Sequence, residues 1–390
     1  MPEPAPRQAR LRLRYQLVLF AAVRTVSFTA HRLVYPFLPV IARGLGVDLQ
    51  TAALAVSARS LLGIFGPAIG STGDRLGRRR AMVTAMLMLA VGFALVRPFP
   101  IYLVFALALA VGSVAKILFD SSMQAYLGDV VHYARRGLAI AVTEMGWSLA
   151  SLIGLPIVGL IIAESGWAAA FPWIAALALG SALGLYWVLP ADGRELSSRV
   201  RLSDGLRVVF RHRIALAALT VGLLITTANE VVNIVFGAWL EQAFALQVVA
   251  LGAASIVIGS AELLGEGFVA GVTDRLGKLR SVTLGILLNS AAAVALPVLG
   301  RTLPGAAVGL FLFYLTFEFT LVSAIPLMTE LVPSARATVM ASNISAHALG
   351  RALGALLGPA LFTLGIGVNG LAAAALNLIA LALLVRYVRE

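Results

Sequence analysis

The chain of 390 residues contains no cysteine and few charged residues. Without thiols it can form neither a disulfide bond nor a thiolate metal site. Only 12% of the residues are charged, whereas an average soluble domain has roughly 25%. The hydrophobic share is 60% and the mean hydropathy is +0.95. This composition argues against a soluble globular domain and predicts an integral membrane protein.

Twelve stretches are long and apolar enough to cross a bilayer, which takes about 20 residues. We number them segments 1 to 12, and they cover residues 15–42, 51–72, 81–97, 101–127, 138–163, 167–189, 214–240, 247–272, 281–299, 303–330, 337–364 and 367–386. The first is too long for a cleaved signal peptide and is expected to stay in the mature protein. The pattern predicts an all-α integral membrane protein.

The basic residues are distributed unevenly among the loops. Only Arg43, Arg97 and Arg301 fall in odd-numbered loops, whereas the even-numbered loops and both ends of the chain carry most of the others. Because positive charge accumulates on the cytoplasmic side, this asymmetry predicts a cell-membrane protein with both termini in the cytoplasm. It also accounts for the net charge of +12 without a nucleic-acid partner.

Two basic loop motifs repeat at an interval of half the chain. Gly70-Ser-Thr-Gly-Asp-Arg-Leu-Gly-Arg-Arg-Arg80 follows segment 2, and Gly271-Val-Thr-Asp-Arg-Leu-Gly-Lys-Leu-Arg280 follows segment 8. The tetrapeptide Asp-Arg-Leu-Gly is identical at 74–77 and 274–277. An internal repeat of this length predicts two like lobes of six helices. We expect residues 1–190 and 214–390 to form them, with 191–213 as a polar cytoplasmic linker.

The first motif resembles the signature G-x-L-x-D-R-x-G-R-R-x of the Major Facilitator Superfamily of secondary transporters. Asp74, Arg75, Gly77, Arg78 and Arg79 match it, while Thr72 replaces the usual apolar residue. The resemblance implies a twelve-helix fold in which helices 1, 4, 7 and 10 line a cavity and helices 2, 5, 8 and 11 form the lobe interface. Segments 3, 6, 9 and 12 would form the outer scaffold, and they carry no charge away from their ends.

The resemblance also assigns a mechanical role to the loop motifs. In the family, the residue matching Asp74 lies against helix 11 and latches the outward-open state, and motif arginines pair with an acid such as Asp129. The expected latch residues are Gly70, Asp74, Arg75, Gly77, Arg78, Asp129, Asp274 and Arg275. In the alternative interpretation these residues only cap a turn and fix the topology.

Eleven charged residues fall inside the segments. Each costs roughly 2.5–3.5 kcal/mol at the bilayer centre, so most should face protein or water rather than lipid. With neighbouring polar residues they predict a substrate and proton cavity formed by Arg24, His31, Arg32, Arg59, Lys116, Asp120, Glu144, Asn229, Glu230, Glu262, Glu318, His347 and Arg351. Some are expected to be structural pairs, with Lys116–Asp120 and Glu318–Arg351 as candidates.

The charges within the segments are mainly basic in the first lobe and mainly acidic in the second. This suits a proton-coupled secondary transporter that moves a small charged or amphiphilic organic solute by alternating access, with efflux as the leading direction. In the resembling drug:proton antiporters, helix 4 carries an arginine where Ala108 stands here. Glu230, Glu262 or Asp120 would therefore have to carry protons.

Three alternatives stay open at this point. Bases in segment 1 favour an organic-anion uptake symporter, and the fold could also serve a lipid or lysolipid translocator or a non-transporting sensor. No H-E-x-x-H, G-x-S-x-G or P-loop pattern occurs, so neither an enzyme nor a cofactor or metal is expected. The expected partners are a small-molecule substrate, protons and membrane lipids, and the protein is expected to be a monomer.

Overall fold

The computed structural model describes residues 7–192, 212–331 and 336–388, and within these ranges the chain is helical and has no strand. In the first half the helices are Arg7–Arg32 and Val34–Leu45 (segment 1), Leu49–Leu61 and Gly66–Leu76 (segment 2), Arg78–Ala94 (segment 3), Tyr102–Val130 (segment 4), Tyr133–Leu149 and Leu155–Ser165 (segment 5), and Ala170–Val188 (segment 6). In the second half they are Arg213–Asn233 and Phe236–Phe244 (segment 7), Val248–Leu276 (segment 8), Lys278–Leu299 (segment 9), Leu303–Glu330 (segment 10), Arg336–Phe362 (segment 11) and Ile366–Tyr387 (segment 12).

Nine helical stretches of the described chain are long and apolar enough to cross a membrane, and the bent first segment makes a tenth. The two remaining predicted segments fall short of that standard. Arg78–Ala94 has only 17 residues. Arg336–Phe362 has 27, but Asn343, His347 and Arg351 reduce its apolar character. The described fold is therefore all-α and compatible with twelve spans.

Segments 1 and 7 are each broken in their second half. The two helices of segment 1 meet at 48°, and segment 7 is interrupted between Asn233 and Phe236. In segment 1 the cause is local, because Pro36 has no N–H to donate to the carbonyl of Arg32. The two breaks occupy corresponding places in the two halves of the chain, as a repeat would require.

Segments 2 and 11, and segments 5 and 8, pack against each other between the two halves. Small residues bring these helices close together. A Cβ added at Gly252 would lie 3.3 Å from the Cα of Gly159, and one added at Gly63 would overlap the side chain of Ala348. The glycines of segment 11 make a different contact: Gly350, Gly354 and Gly358 pack against segment 7.

The bundle has two ends. One end, the linker end, holds residues 77–80, 129–132 and 186–192 of the first lobe and 278 and 330 of the second. At the opposite end the lobes are in direct contact. There Arg43 pairs with Glu241, and a Cβ at Gly237 would overlap the carbonyl oxygen of Pro36. The bundle is therefore closed at the opposite end.

Segment 2 begins at this closed end with a capped helix. Asp48 is extended, with φ −75° and ψ 167°, and its side chain accepts a hydrogen bond from the backbone N–H of Thr51. The bond measures 2.7 Å and satisfies one of the free N–H groups at the helix start. Hydrogen bonding by the Thr51 side chain, together with this backbone bond, holds the pKa of the Asp48 carboxyl below its usual value.

The two loop motifs adopt the same backbone turn. Gly77 and Gly277 have φ values of 91° and 88°, in the region that favours glycine. Arg78 Nε lies 3.5 Å from Asp129 Oδ2, and in the second copy Lys278 pairs with Glu330. The expected pairing of a motif arginine with Asp129 is thus present, and the repeat has its counterpart.

Parts of the predicted latch and linker lie outside the described residues. The side chains of Asp74 and Asp274 are among them, so the latch against segment 11 stays a prediction. Residues 193–211 of the predicted linker are also outside the described ranges. Of the other latch residues, Arg75 and Arg275 are exposed, and Gly70 packs beside Ser121 of segment 4.

Candidate functional site

A polar cavity lies between the lobes at the level of the two helix breaks. Its volume is about 30 Å³, which is the share of one water molecule in the liquid. It is lined by His31, Arg32, Tyr35, Trp147, Asn229, Glu230, Asn233, Glu262, Tyr314, Phe317 and Arg351. Segments 1, 5, 7, 8, 10 and 11 all contribute, so the cavity belongs to both lobes. We refer to it as the central cavity.

One wall of the central cavity is a buried ion pair across the lobes. Both terminal nitrogens of Arg32, in segment 1, donate to the carboxylate of Glu262, in segment 8, at 2.8 Å each. The two residues are 7% and 3% exposed, so little water weakens the attraction. The guanidinium also lies 4.3 Å from the centre of the Trp147 ring. This two-point geometry pairs both terminal nitrogens with both carboxylate oxygens and links the two lobes.

The opposite wall is organised around Glu230 of segment 7. Its carboxylate accepts a hydrogen bond of 3.0 Å from Asn233 Nδ2, and the hydroxyl of Tyr314 donates to Asn233 in turn. The other carboxylate oxygen, Oε1, is buried and has no hydrogen-bond partner in the described protein. Two arginines, Arg351 and Arg59, act on this carboxylate electrostatically.

Arg59 of segment 2 is the most deeply buried basic side chain described, at 1% exposure. Its Nε and Nη2 atoms have no hydrogen-bond partner in the described chain. The guanidinium lies 5.6 Å from the centre of the Tyr35 ring, and Tyr35 in turn lines the central cavity. A smaller space beside that cavity is lined by Arg59 and shares His31 with it.

A second charged cluster lies within the first lobe, one to two turns from the central cavity. Arg24 pairs with Glu144 and its Nε is 3.5 Å from Asp120 Oδ1, while Lys116 Nζ is 2.7 Å from the other oxygen of Asp120. The Lys116–Asp120 pair that the four-residue spacing suggested is therefore present. The cluster joins segments 1, 4 and 5 of the first lobe. None of its residues lines the central cavity.

Two further predicted residues also lie elsewhere. The expected pairing of Glu318 with Arg351 is wrong for the described structure, where Glu318 packs beside Gly265 of segment 8, and its first electrostatic neighbours are Glu262 and Glu266. His347 is away from the central cavity and packs against Gly222 of segment 7. Helix rotation decides both outcomes, and spacing along one helix cannot fix the rotation relative to its neighbours.

Trp147, Tyr314 and Phe317 line the central cavity although the sequence did not single them out. A signal was present, because Trp147 lies three residues after Glu144 and Tyr314 four residues before Glu318. These spacings place each aromatic residue on the same helix face as a charged one. Aromatic residues are common in an apolar sequence, so this spacing alone does not identify them as cavity residues. It does so only when the row of charged residues on one helix face is followed by a further turn.

An apolar groove separate from the central cavity runs beside segments 2, 7 and 11. Its volume is about 560 Å³ and its walls include Phe65, Leu223 and Leu349. Leu349 and Arg351 are two residues apart on one helix and therefore point to nearly opposite sides. The groove and the central cavity thus lie on different faces of segment 11.

Comparison with known proteins gives a consistent result for the whole chain. Residues 20–355 match the family model described as Major Facilitator Superfamily. The chain is 27% identical over 346 residues to the uncharacterized MFS-type transporter YceJ of Bacillus subtilis (strain 168), covering 86% of each chain. It is also 27% identical over 344 residues to the inner membrane transport protein YdhP of Escherichia coli (strain K12), covering 85% of this chain and 84% of that one.

Solved structures share the fold. A bacterial homolog of the human lysosomal transporter Spinster, in an inward-facing and unoccupied conformation, superposes with a TM-score of 0.78 at 14% identity and covers 98% of this chain and 97% of that one. The human organic anion transporter MFSD10 superposes with a TM-score of 0.68 at 20% identity, covering 98% and 100%. The chain is therefore a multi-pass membrane protein that belongs to the Major Facilitator Superfamily.

Proposed function

We propose that this protein is a proton-coupled secondary transporter that moves a small charged organic solute by alternating access. The observation that carries the proposal is the central cavity, where titratable and charged side chains from both lobes meet at the helix breaks. Sites of this kind near the middle of the membrane are where such transporters bind their cargo. Because Arg32 and Glu262 belong to different lobes, movement of one lobe against the other would change the site itself.

The closed end of the bundle can be related to the two sides of the membrane. The lobes are in contact at the opposite end, where Arg43 meets Glu241. If both termini are cytoplasmic, as the distribution of basic residues predicts, this closed end of the protein faces outward. We place it in the cell membrane on the same basis.

Glu230 is the coupling acid in this proposal. Glu262 already has two hydrogen bonds from Arg32, so protonating it would break a buried ion pair. Glu230 has one carboxylate oxygen without a hydrogen-bond partner in the described chain and two arginines nearby. Protonation and solute binding at such a site depend on each other, and the dependence is reciprocal.

The direction of transport has two candidates. The sequence alone favours efflux in exchange for protons. The arginines of the central site favour the second candidate, in which an organic anion and a proton cross together. An anion would meet Arg59 and Arg351, whereas an organic cation would have only Glu230 to approach, since Glu262 is paired with Arg32.

Transport by purified protein in liposomes tests the proposal. A thermal-shift screen against organic anions, cations, zwitterions and lysolipids first identifies a solute that stabilises the protein. An imposed pH gradient should then drive that solute uphill in the wild type but not in Glu230→Gln, which should still exchange it downhill. The matched control is Glu164→Gln, which removes an exposed carboxylate at the opposite end of segment 5. Uphill transport at the wild-type rate in Glu230→Gln would show that Glu230 is not the coupling acid.

A further inference from the structure

We propose that the solute is an organic anion whose charged group binds between Arg59 and Arg351, in the place that Glu230 takes in the described state. This inference rests on the proposed function and adds the substrate class to it. The class is defined by chemistry: a carboxylate, sulfonate or phosphate that a guanidinium can bind through two hydrogen bonds.

The unpartnered atoms around the cavity are mostly donors. Among the residues that line the central cavity and the space beside it, four buried donors have no hydrogen-bond partner in the described chain, namely Trp147 Nε1, Asn229 Nδ2, Arg59 Nε and Arg59 Nη2, against a single acceptor, Glu230 Oε1. Unmatched buried donors of this kind are costly. A ligand that supplies acceptors would satisfy them, and an anion supplies acceptors and no donors. A cation would add donors to a site that already has too many.

The distribution of charge around the cavity indicates the same substrate class, an organic anion. Arg32 and Glu262 neutralise each other through two bonds. Of the remaining charged groups, Glu230 of segment 7 and Arg351 of segment 11 line the central cavity, and Arg59 of segment 2 lines the adjoining space that shares His31 with it. Two arginines, one from each lobe, therefore stand against one carboxylate.

The other groups around Glu230 do not change this balance. Tyr35 of segment 1 and Tyr314 of segment 10 line the same cavity and carry no formal charge near neutral pH. His31 of segment 1 lines it as well, and a proton on this side chain would only add positive charge. On segment 12 the nearest polar side chain is Asn369, which donates to the backbone oxygens of Val231 and Gly358. Glu318 stands beyond Glu262, which is its first electrostatic neighbour.

Glu230 is an internal counter-ion in this scheme. The central cavity, at about 30 Å³, has no room for an organic solute while it is contracted, and Glu230 keeps the two arginines neutralised. When the cavity opens, a proton can discharge Glu230 and the anion takes over both arginines. The total charge of the site is then unchanged, because one negative group replaces another. Proton and anion consequently bind together, which corresponds to symport.

The burial of Arg59 gives the exchange its specificity. Arg59 is 1% exposed, so an anion that reaches it must shed water and must match its donors. Arginine provides a planar fork for this purpose, whereas lysine would provide a point charge. Arg351→Lys should therefore keep the charge but weaken anion binding.

Binding of three probes of similar size tests the inference. Benzenesulfonate is ionised over the whole accessible pH range, benzenesulfonamide is neutral, and benzyltrimethylammonium is a cation. Thermal unfolding of the purified wild type is followed with each probe at equal ionic strength, at mildly acidic and mildly alkaline pH. We expect stabilisation by benzenesulfonate alone, stronger at acidic pH by about tenfold in apparent affinity.

Variants separate the roles of the residues. Glu230→Gln imitates the protonated carboxyl, so benzenesulfonate should bind it tightly at both pH values. Arg351→Gln and Arg59→Gln should lose the response, and Arg351→Lys should keep a weakened one, provided that size-exclusion chromatography shows a folded protein. Arg301→Gln, in an exposed loop, is the control and should respond as the wild type does.

Two results would overturn the inference. One is stabilisation by the cation or the neutral probe that exceeds that by benzenesulfonate. The other is a Glu230→Gln protein that folds and shows no response to benzenesulfonate at either pH. If a pH gradient still drives a cationic solute through the wild type and this requires Glu230, the proposed function stands and only the substrate class is wrong.

Discussion

Arg43 at the end of segment 1 and Glu241 at the end of segment 7 form a two-point ion pair between the lobes. Arg43 Nη1 lies 2.9 Å from Glu241 Oε2, and Nη2 lies 2.6 Å from Oε1. The Arg43 side chain is 61% exposed, so the pair resembles a surface salt bridge. It lies at the closed end, and it must break whenever this end opens. Its weakness is therefore compatible with a contact that forms and breaks in every cycle.

Breaking this pair should shift the balance between the two access states. An exposed pair contributes about 0.2–1 kcal/mol, which is up to roughly a fivefold change in the population ratio. Arg43→Ala should accordingly increase the population that is open at the opposite end. Distances between spin labels on the two lobes measure this, and the cysteine-free sequence allows labels at chosen sites.

The charge-swapped protein, with Arg43→Glu and Glu241→Arg together, provides the control. It should return the distance distribution toward that of the wild type, while each single change should not. Unchanged distances in all three proteins would mean that the pair does not influence the access equilibrium.

The buried pair of Arg32 and Glu262 should behave differently from the exposed one. Removing one partner of a buried pair leaves an uncompensated charge and costs about 3–5 kcal/mol. Arg32→Gln should therefore lower the free energy of unfolding far more than Arg43→Gln, which breaks a pair of similar geometry in water. Chemical unfolding in detergent compares the two.

Replacing both partners by apolar residues separates stability from transport. Arg32→Met with Glu262→Leu should recover most of the stability, because neither charge is left buried alone. The double variant should nevertheless fail to transport, since the wall of the central cavity is lost. Equal losses of stability in Arg32→Gln and Arg43→Gln would contradict the difference in burial.

Gly77 and the side chain of Asp192 form the start of the helix Arg78–Ala94, and their contribution to stability can be tested directly. The carboxylate of Asp192 accepts hydrogen bonds from the backbone N–H groups of Arg79 and Arg80, at 2.8 and 3.0 Å. A Cβ at Gly77 would overlap this carboxylate, and the residue has a φ of 91°. Gly77→Ala should therefore cost about 1–3 kcal/mol of unfolding free energy, the penalty for placing a side chain on a backbone with φ 91° and ψ 149°, which is essentially confined to glycine.

The loss of stability on replacing Asp192 should depend on how many hydrogen-bond acceptors the new side chain keeps. Asp192→Ala removes the cap and should cost about 1 kcal/mol, whereas Asp192→Asn keeps one acceptor and should cost less. Thermal unfolding of the three variants under one condition gives the order of their stabilities. An alanine variant as stable as the wild type would show that the cap contributes nothing.

The predicted orientation in the membrane can be tested with single cysteines. A cysteine at Arg80 or Arg201 should resist a membrane-impermeant thiol reagent in intact cells, and one at Arg301 should react, because positive charge marks the cytoplasmic side. All three should react after permeabilisation, which controls for local burial. The reverse pattern in intact cells would place the termini outside.

The membrane-spanning helices could be predicted from the sequence because hydrophobic length is a local property. A helix of about 20 apolar residues is long enough to span the bilayer whatever its neighbours are, because its side chains contact the lipid directly. The turn at Gly77 and Gly277 is local for the same reason, since a short motif sets the backbone. The breaks in segments 1 and 7 were not predicted, although Pro36 is an ordinary signal for one of them.

The pairing of charges was decided by the tertiary structure. Stripes on single helices showed which faces are polar, and the pair Lys116–Asp120, which lies on one helix, could be suggested from spacing. Arg32 and Glu262 are 230 positions apart, and nothing in either stripe distinguishes this partner from Glu230 or Glu318. Which carboxylate pairs with Arg32 depends on the distance and rotation of segment 1 relative to segment 8.

The closed end and the size of the central cavity also belong to the tertiary structure alone. One sequence must allow both access states, so it cannot specify which end is closed at a given moment. Close contacts such as Gly237 against Pro36 exist only when the lobes tilt together at that end. The sequence determined the helices and their polar faces, because these follow from each segment's contact with lipid. The packing of the two lobes decided which of those faces meet.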